Sequence, residues 1–163
     1  MSDDRVRALA EAVLLRCREK KLMIATAESC TGGLIAGALT DIAGSSDVVE
    51  RGFVTYSNRA KTEMLGVPAA LIAWHGAVSA EVARAMATGV LVHAPVELGV
   101  AVTGIAGPGG GSADKPVGLV HLAVARKGEK AQSEHHVFPG DRDGIRRATV
   151  ERALEMLLAA AEH

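Results

Sequence analysis

Aromatic side chains are scarce in this chain of 163 residues, at 2%, with one tryptophan, one tyrosine and two phenylalanines. The single tyrosine, Tyr56, stands out for that reason. Cysteine is scarce too: Cys17 and Cys30 are the only two. Two cysteines make no disulfide framework, which suits a reducing compartment. Cys17 falls in a helical pattern and reads as core. An excess of either charge is also missing. The net charge is -1 and the pI about 6.6, so no electrostatic footprint points to nucleic acid or an anionic membrane. Gly, Thr or charge breaks every apolar run well short of the ~20 residues of a membrane span. The acidic start, Met1-Ser2-Asp3-Asp4, leads straight into an amphipathic pattern, so no signal peptide is expected. Metal-ligand spacings are missing as well: there is no HExxH and no CxxC. The neighbours His135 and His136 lie in a strand pattern and point to opposite faces. Metal binding is therefore not expected, and a cytoplasmic, soluble protein is.

What is present reads as α/β. The length suits one domain over 1–163 with a real core. Val6, Leu9, Ala10, Val13, Leu14 and Cys17 recur at helical spacing, so a first helix is predicted from Asp3 or Asp4 to about Lys20. Strands are predicted at Leu22–Ala27, Phe53–Tyr56, Leu98–Val102, Val117–Arg126 and Gln132–Phe138. The last two form a hairpin around Lys127-Gly128-Glu129. Helices are predicted at Thr31–Ile42, Asn58–Leu65, about Ser79–His93 and from about Asp141 onward, while 69–78 shows no regular pattern. This order implies a three-layer α/β/α sandwich with a mixed, mostly parallel sheet. Many of the 18 glycines cluster at strand ends, where open α/β sheets place their ligand sites.

The most telling stretch is Ala27-Glu28-Ser29-Cys30-Thr31-Gly32-Gly33, at the turn from a buried strand into a helix. A helix start there offers unpaired N–H groups and a positive dipole end, which suit an anion or an oxyanion beside a nucleophile. Ser29 has a bland reading as a helix cap. Thr31 is an equally good cap, which leaves Ser29 free to act. A serine hydroxyl needs a base, and none of the six histidines sits in a triad-like context. Lys61, shortly after Tyr56, is the other candidate. An amine serves as a base only if burial or a nearby cation lowers its value far below ~10.4. Read from spacing alone, Lys61 is as well a solvated helix lysine and Tyr56 a core residue.

Two further stretches are candidates for binding. The loop Gly104-Ile105-Ala106-Gly107-Pro108-Gly109-Gly110-Gly111-Ser112 matches neither the dinucleotide nor the P-loop fingerprint. It reads as a mobile connector or as a backbone wall for a nucleotide or an amide, with Thr103 at its edge. Arg142 and Arg146 share a face at a helix start, where two guanidinium groups can clamp a phosphate or simply face water.

Taken together, these segments resemble the CinA C-terminal domain family, the nicotinamide-nucleotide amidases. The resemblance rests on Ala27–Gly33, Gly52-Phe53-Val54-Thr55-Tyr56-Ser57-Asn58 with Lys61, Thr103–Gly110, Lys115-Pro116-Val117-Gly118 and Phe138-Pro139-Gly140-Asp141-Arg142, in the family's order. It implies a serine amidohydrolase that converts nicotinamide mononucleotide to nicotinate mononucleotide and ammonia. Carried over residue by residue, it implies Ser29 as nucleophile, Lys61 as base and Tyr56 as an assisting phenol. The backbone of Cys30, Thr31, Gly32 and Gly33 would hold the oxyanion. Thr103, Gly104, Ile105, Ala106 and Gly107 would line the substrate site, with Arg142 and Arg146 near a phosphate. No metal or organic cofactor is implied. Many members carry a large N-terminal domain; the first helix begins at once here, so neither that domain nor a pyrophosphatase activity is expected. The expected partner is a small-molecule nucleotide substrate, with no nucleic acid and no membrane. The small residues of 31–42 suit close packing between subunits, and a homo-oligomer is expected. The rival readings are a cysteine amidase using Cys30, an amidase for another small amide, and a nucleotide-binding or regulatory module without turnover.

Overall fold

The computed structural model describes residues 3–163; Met1 and Ser2, part of the acidic start read above, lie outside them. Helix α1 spans Asp4–Lys20, and the Asp3 carboxylate caps it by accepting from the Arg5 and Val6 N–H groups. Strand β1 (Ile24–Glu28) follows and is buried at all five positions. It leads through the Ser29–Gly33 turn into α2 (Leu34–Thr40). Strand β2 (Val49–Val54) precedes three helices, α3 (Asn58–Leu65), α4 (Ala69–His75) and α5 (Ala80–His93). Strands β3 (Leu98–Gly104), β4 (Leu119–Arg126) and β5 (Gln132–Val137) complete the sheet, and α6 (Arg142–Ala161) closes the chain. Among the described residues no helix is long and apolar enough to cross a membrane, and no group of three His, Cys, Asp or Glu could hold a metal ion.

The sheet order is β2-β1-β3-β4-β5. Strands β1, β2 and β3 run parallel, while β4 and β5 form the antiparallel hairpin expected from the sequence. Alternation along the strands builds two cores. Ile24, Leu98, Val100, Val102, Val120 and Leu122 face α1, α2 and α6. Ala25, Ala27, Ala101, Ala123 and Ala125 face α5. The second face is lined by small side chains, so α5 lies close to it. A Cβ at Gly99 would come within 2.7 Å of the Val90 side chain.

Close packing on that side also seats α3. A Cβ at Gly89, on α5, would stand 2.2 Å from the Leu65 carbonyl oxygen at the end of α3. Gly89→Ala would gain about 1 kcal/mol of helix propensity. Overpacking against backbone costs about 1–3 kcal/mol and wins when the clash cannot relax by rotating a side chain. A net loss of stability in urea denaturation is the expected outcome; an unchanged midpoint would show that α3 yields freely.

The boundaries differ from the sequence reading at instructive places. Helix α2 starts at Leu34 rather than Thr31, because Gly32 (φ 58°) and Gly33 (φ 109°) are left-handed. Thr31 is not its cap; its hydroxyl donates to Glu28 instead. Strand β2 begins four residues earlier than expected, since an edge strand tolerates exposed polar residues such as Arg51. It stops at Val54, and Thr55 and Tyr56 lie outside the strand. Ser57 caps α3 by accepting from the Ala60 N–H. The stretch 69–78, which showed no regular pattern, contains α4. That helix buries only Ile72 and leaves Trp74 84% exposed, so it carries no apolar stripe for sequence periodicity to reveal. Strand β4 starts at Leu119 because Gly118 takes φ 97°.

Candidate active site

Crossovers from β1 to β2 and from β2 to β3 leave the sheet on opposite faces, through α2 and through α3 to α5. The C-terminal ends of β1 and β3 therefore part, and such a switch point is where open α/β sheets hold ligands. A cleft of about 200 Å³ opens there, lined by Ser29 and Cys30 after β1, Tyr56, Asn58 and Lys61 after β2, and Thr103 and Gly104 at the end of β3.

Ser29 is fixed between both neighbouring strands. Its N–H donates to the Val102 carbonyl at 3.1 Å, while the Thr55 N–H donates to the Glu28 carbonyl at 2.9 Å. The turn is held from inside by the fully buried Glu28 carboxylate. It accepts from the Thr31 hydroxyl at 2.5 Å, the Ile35 N–H at 2.8 Å and the Ala36 N–H at 3.0 Å. Glu28 thus does the capping that Gly33 cannot do and sits at the positive end of α2. Residue type alone assigns Glu28 no role within the motif. An acid at the end of a buried strand, seven residues before a helical N–H it can cap, was the available signal.

Lys61 enters from the first turns of α3 and is 1% exposed; Ser29 is 8% exposed. The Lys61 Nζ lies 3.0 Å from Ser29 Oγ, 3.0 Å from the Thr55 carbonyl oxygen and 3.3 Å from the Tyr56 carbonyl oxygen. Among the described residues no carboxylate pairs with it. Burial lowers its value from the ordinary lysine range, and the neighbouring Cys30 opposes that weakly. Its three polar neighbours are the two carbonyl oxygens, to which it donates, and the Ser29 hydroxyl.

Cys30 is 7% exposed, and its thiol is pushed up to about 12. Burial is the main cause and the Glu28 charge adds to it, while its own backbone N–H, Arg146 and Lys61 act the other way. Its N–H and that of Thr31 donate to no other described residue. The Gly32 N–H, by contrast, is used by the Ser29 carbonyl at 3.1 Å.

Tyr56 meets the Ser29–Lys61 pair through its backbone carbonyl. Its side chain is 64% exposed, and its hydroxyl lies 3.4 Å from an Arg142 Nη. Arg142 also donates to the Gly107 carbonyl at 2.7 Å. Arg146 donates to the Cys30 and Thr31 carbonyls at 3.1 and 3.2 Å and so braces the turn from outside. The two arginines line a second hollow beside the cleft, with Ala106, Pro108 and Asp141. The glycine-rich loop packs rather than trails. A Cβ at Gly107 would come within 2.5 Å of Val117, and one at Gly118 within 2.2 Å of the Phe138 carbonyl oxygen. The Ile105 N–H donates to Leu119 and the Gly118 N–H to Ile105, which pins both ends of the loop. Ala106 and Gly104 reach the cleft. The wall Ala77–Val78 completes it and was missed in the sequence because α4 was missed.

Comparison with known proteins shows the family to which the chain belongs. The family model of the CinA C-terminal domain matches residues 6–161. The chain is 57% identical over 147 residues to a CinA-like protein of Geobacter sulfurreducens, covering 90% of this chain and 35% of that one. It is 46% identical over 157 residues to the nicotinamide-nucleotide amidohydrolase PncC of Escherichia coli K12, covering 96% of this chain and 95% of that one. Among solved structures, the competence/damage inducible protein CihA from Agrobacterium tumefaciens superposes with a TM-score of 0.96 at 51% identity, over 100% of this chain and 99% of that one. The chain spans little more than a third of the length of the CinA-like relatives it matches, between 35% and 37%. With residues 6–161 under one family model and that fold shared along its whole length, the chain belongs to the CinA C-terminal domain family.

Proposed function

We propose that this chain is an amidohydrolase that deamidates nicotinamide mononucleotide to nicotinate mononucleotide and ammonia, working as one domain. The name of the Escherichia coli relative, which is matched over nearly its whole length, supports the substrate. One observation carries the chemistry: a buried amine without an acidic partner, 3.0 Å from the hydroxyl of a serine at a strand–helix turn.

In this reading Lys61 takes the Ser29 proton as Ser29 Oγ attacks the carboxamide carbon. The Thr55 and Tyr56 carbonyls then stabilise the ammonium that forms. The N–H groups of Cys30 and Thr31, which donate to no other described residue, receive the oxyanion; a donor of this kind is worth roughly 3 kcal/mol. Lys61 returns the proton to the leaving nitrogen and ammonia departs. Water, deprotonated by Lys61, attacks the acyl carbon and frees the carboxylate and Ser29. Gly32 and Gly33 let the turn bend while the donors stay aimed. Thr103, Gly104 and Ala106 form the wall against the substrate, while Ile105 and Gly107 lie outside the cleft lining and shape the loop that carries it. Arg142 and Arg146 border the hollow where the phosphate would lie, and Tyr56 closes the mouth beside Arg142.

The test is ammonia release from nicotinamide mononucleotide, run beside a panel of other pyridine amides. Release from the nucleotide supports the reading, and release from another amide alone would reassign the substrate. Tight binding without ammonia would favour a binding module. Cys30→Ala separates the thiol from the alcohol. Because its thiol is held protonated, activity is expected to stay within about threefold of wild type. A collapse would make Cys30 the nucleophile.

A further inference from the structure

The motif Lys115-Pro116-Val117-Gly118 has no part in the chemistry above, yet its lysine reaches the cleft wall from behind. Between α4 and α5 the chain passes through His75, Gly76, Ala77 and Val78, and the last two line the cleft opposite Ser29. Three successive carbonyls of this segment are each held by a side chain from elsewhere. The Lys115 Nζ donates to the His75 carbonyl at 2.7 Å, the Ser79 hydroxyl to Gly76 at 2.9 Å and the Thr103 hydroxyl to Ala77 at 2.9 Å. The N–H groups of Ala77 and Val78 donate to no other described residue.

We propose that Lys115 is a positioning residue, which locks the His75–Val78 backbone to the glycine-rich loop and so aims that wall at the substrate. This rests on the amidase reading given above. Ser79 and Thr103 belong to regular elements, at the cap of α5 and in β3, and are anchored by them. Lys115 is different, because it ties one irregular segment to another. It is itself set by a turn in which its N–H donates to the Ser112 hydroxyl at 3.0 Å and its carbonyl accepts from the Ser112 N–H at 2.8 Å. The fit behind the wall is close, since a Cβ at Gly76 would come within 2.8 Å of the Lys115 Nζ. Gly76 also takes φ 79°, a left-handed turn that suits glycine. Hydrogen bonds from charged donors are among the stronger ones in proteins. Losing this one frees the wall while Ser29 and Lys61, anchored by β1, β3 and α3, stay in place. Its loss should therefore weaken substrate placement more than chemistry.

Two variants test this, Lys115→Met and Lys115→Arg, by steady-state ammonia release from nicotinamide mononucleotide and by amide hydrogen exchange. For Lys115→Met we expect KM to rise about tenfold with kcat within about threefold, and faster exchange at the Gly76 N–H, which shares its peptide unit with the His75 carbonyl and donates to the Ile72 carbonyl at 2.8 Å. Lys115→Arg, which keeps a charged donor, should recover most of the KM. Unchanged KM and unchanged exchange in Lys115→Met would overturn the proposal. A fall in kcat and melting temperature together, with KM unmoved, would overturn it too, by showing a merely structural role. If the wild-type chain releases no ammonia from the nucleotide, the amidase reading fails, and the exchange comparison still decides whether Lys115 holds the wall.

Discussion

Ser29→Ala is expected to lower ammonia release from nicotinamide mononucleotide by at least about ten-thousandfold, with little change in stability. The magnitude follows from serine hydrolases generally, where loss of the nucleophile leaves only the rate that binding and oxyanion donors supply. The small effect on stability follows from the site itself. The Ser29 hydroxyl meets only the Lys61 amine and, at 3.4 Å, the Tyr56 carbonyl. The turn is held by Glu28, Arg146 and backbone bonds that the substitution leaves alone. Substrate binding should survive, so the variant should still bind the nucleotide in calorimetry. Residual activity within tenfold of wild type would remove Ser29 from the mechanism.

Lys61→Arg is the sharper probe of the base. A guanidinium can reach the same carbonyls, but it stays protonated and offers no lone pair. A loss of at least about a hundredfold in kcat is expected, in line with general-base effects. Combining it with Ser29→Ala should cost little more than Ser29→Ala alone, because the two side chains act as a unit. The pH profile carries the sign. Lys61 works when neutral, so kcat/KM should fall as pH drops through its value. Burial lowers that value, so this acid limb should lie below the usual lysine range. A flat profile, or an Arg variant near wild type, would rule out Lys61 as the base.

The three-layer architecture was legible in the sequence because its buried strands are short apolar runs bounded by glycine and its longer helices carry clear periodicity. The hairpin was legible from Lys127-Gly128-Glu129. Helix α4 was not, because one buried residue makes no stripe. For the site, Ser29 could be picked out by its turn, but spacing left Lys61 undecided between base and surface residue. What takes it off the surface is tertiary: α3 packs under α5 at Gly89 and carries the amine inward. The Tyr56 carbonyl as the contact to the pair was also beyond spacing. Side-chain type advertises a phenol, whereas a main-chain oxygen is common to every residue.

The inward lysine also links the making of this molecule to the acidity of its surroundings. In the unfolded chain Lys61 titrates at the ordinary value near 10.5, and in the native molecule at a lower one. Between those two values each chain that collapses to its native form sheds a proton to water. Acidification through that window therefore pulls the balance toward the open chain, and alkalinity up to the ordinary value restores it. The feature that would arm the serine thus also makes assembly of the fold a proton-releasing event.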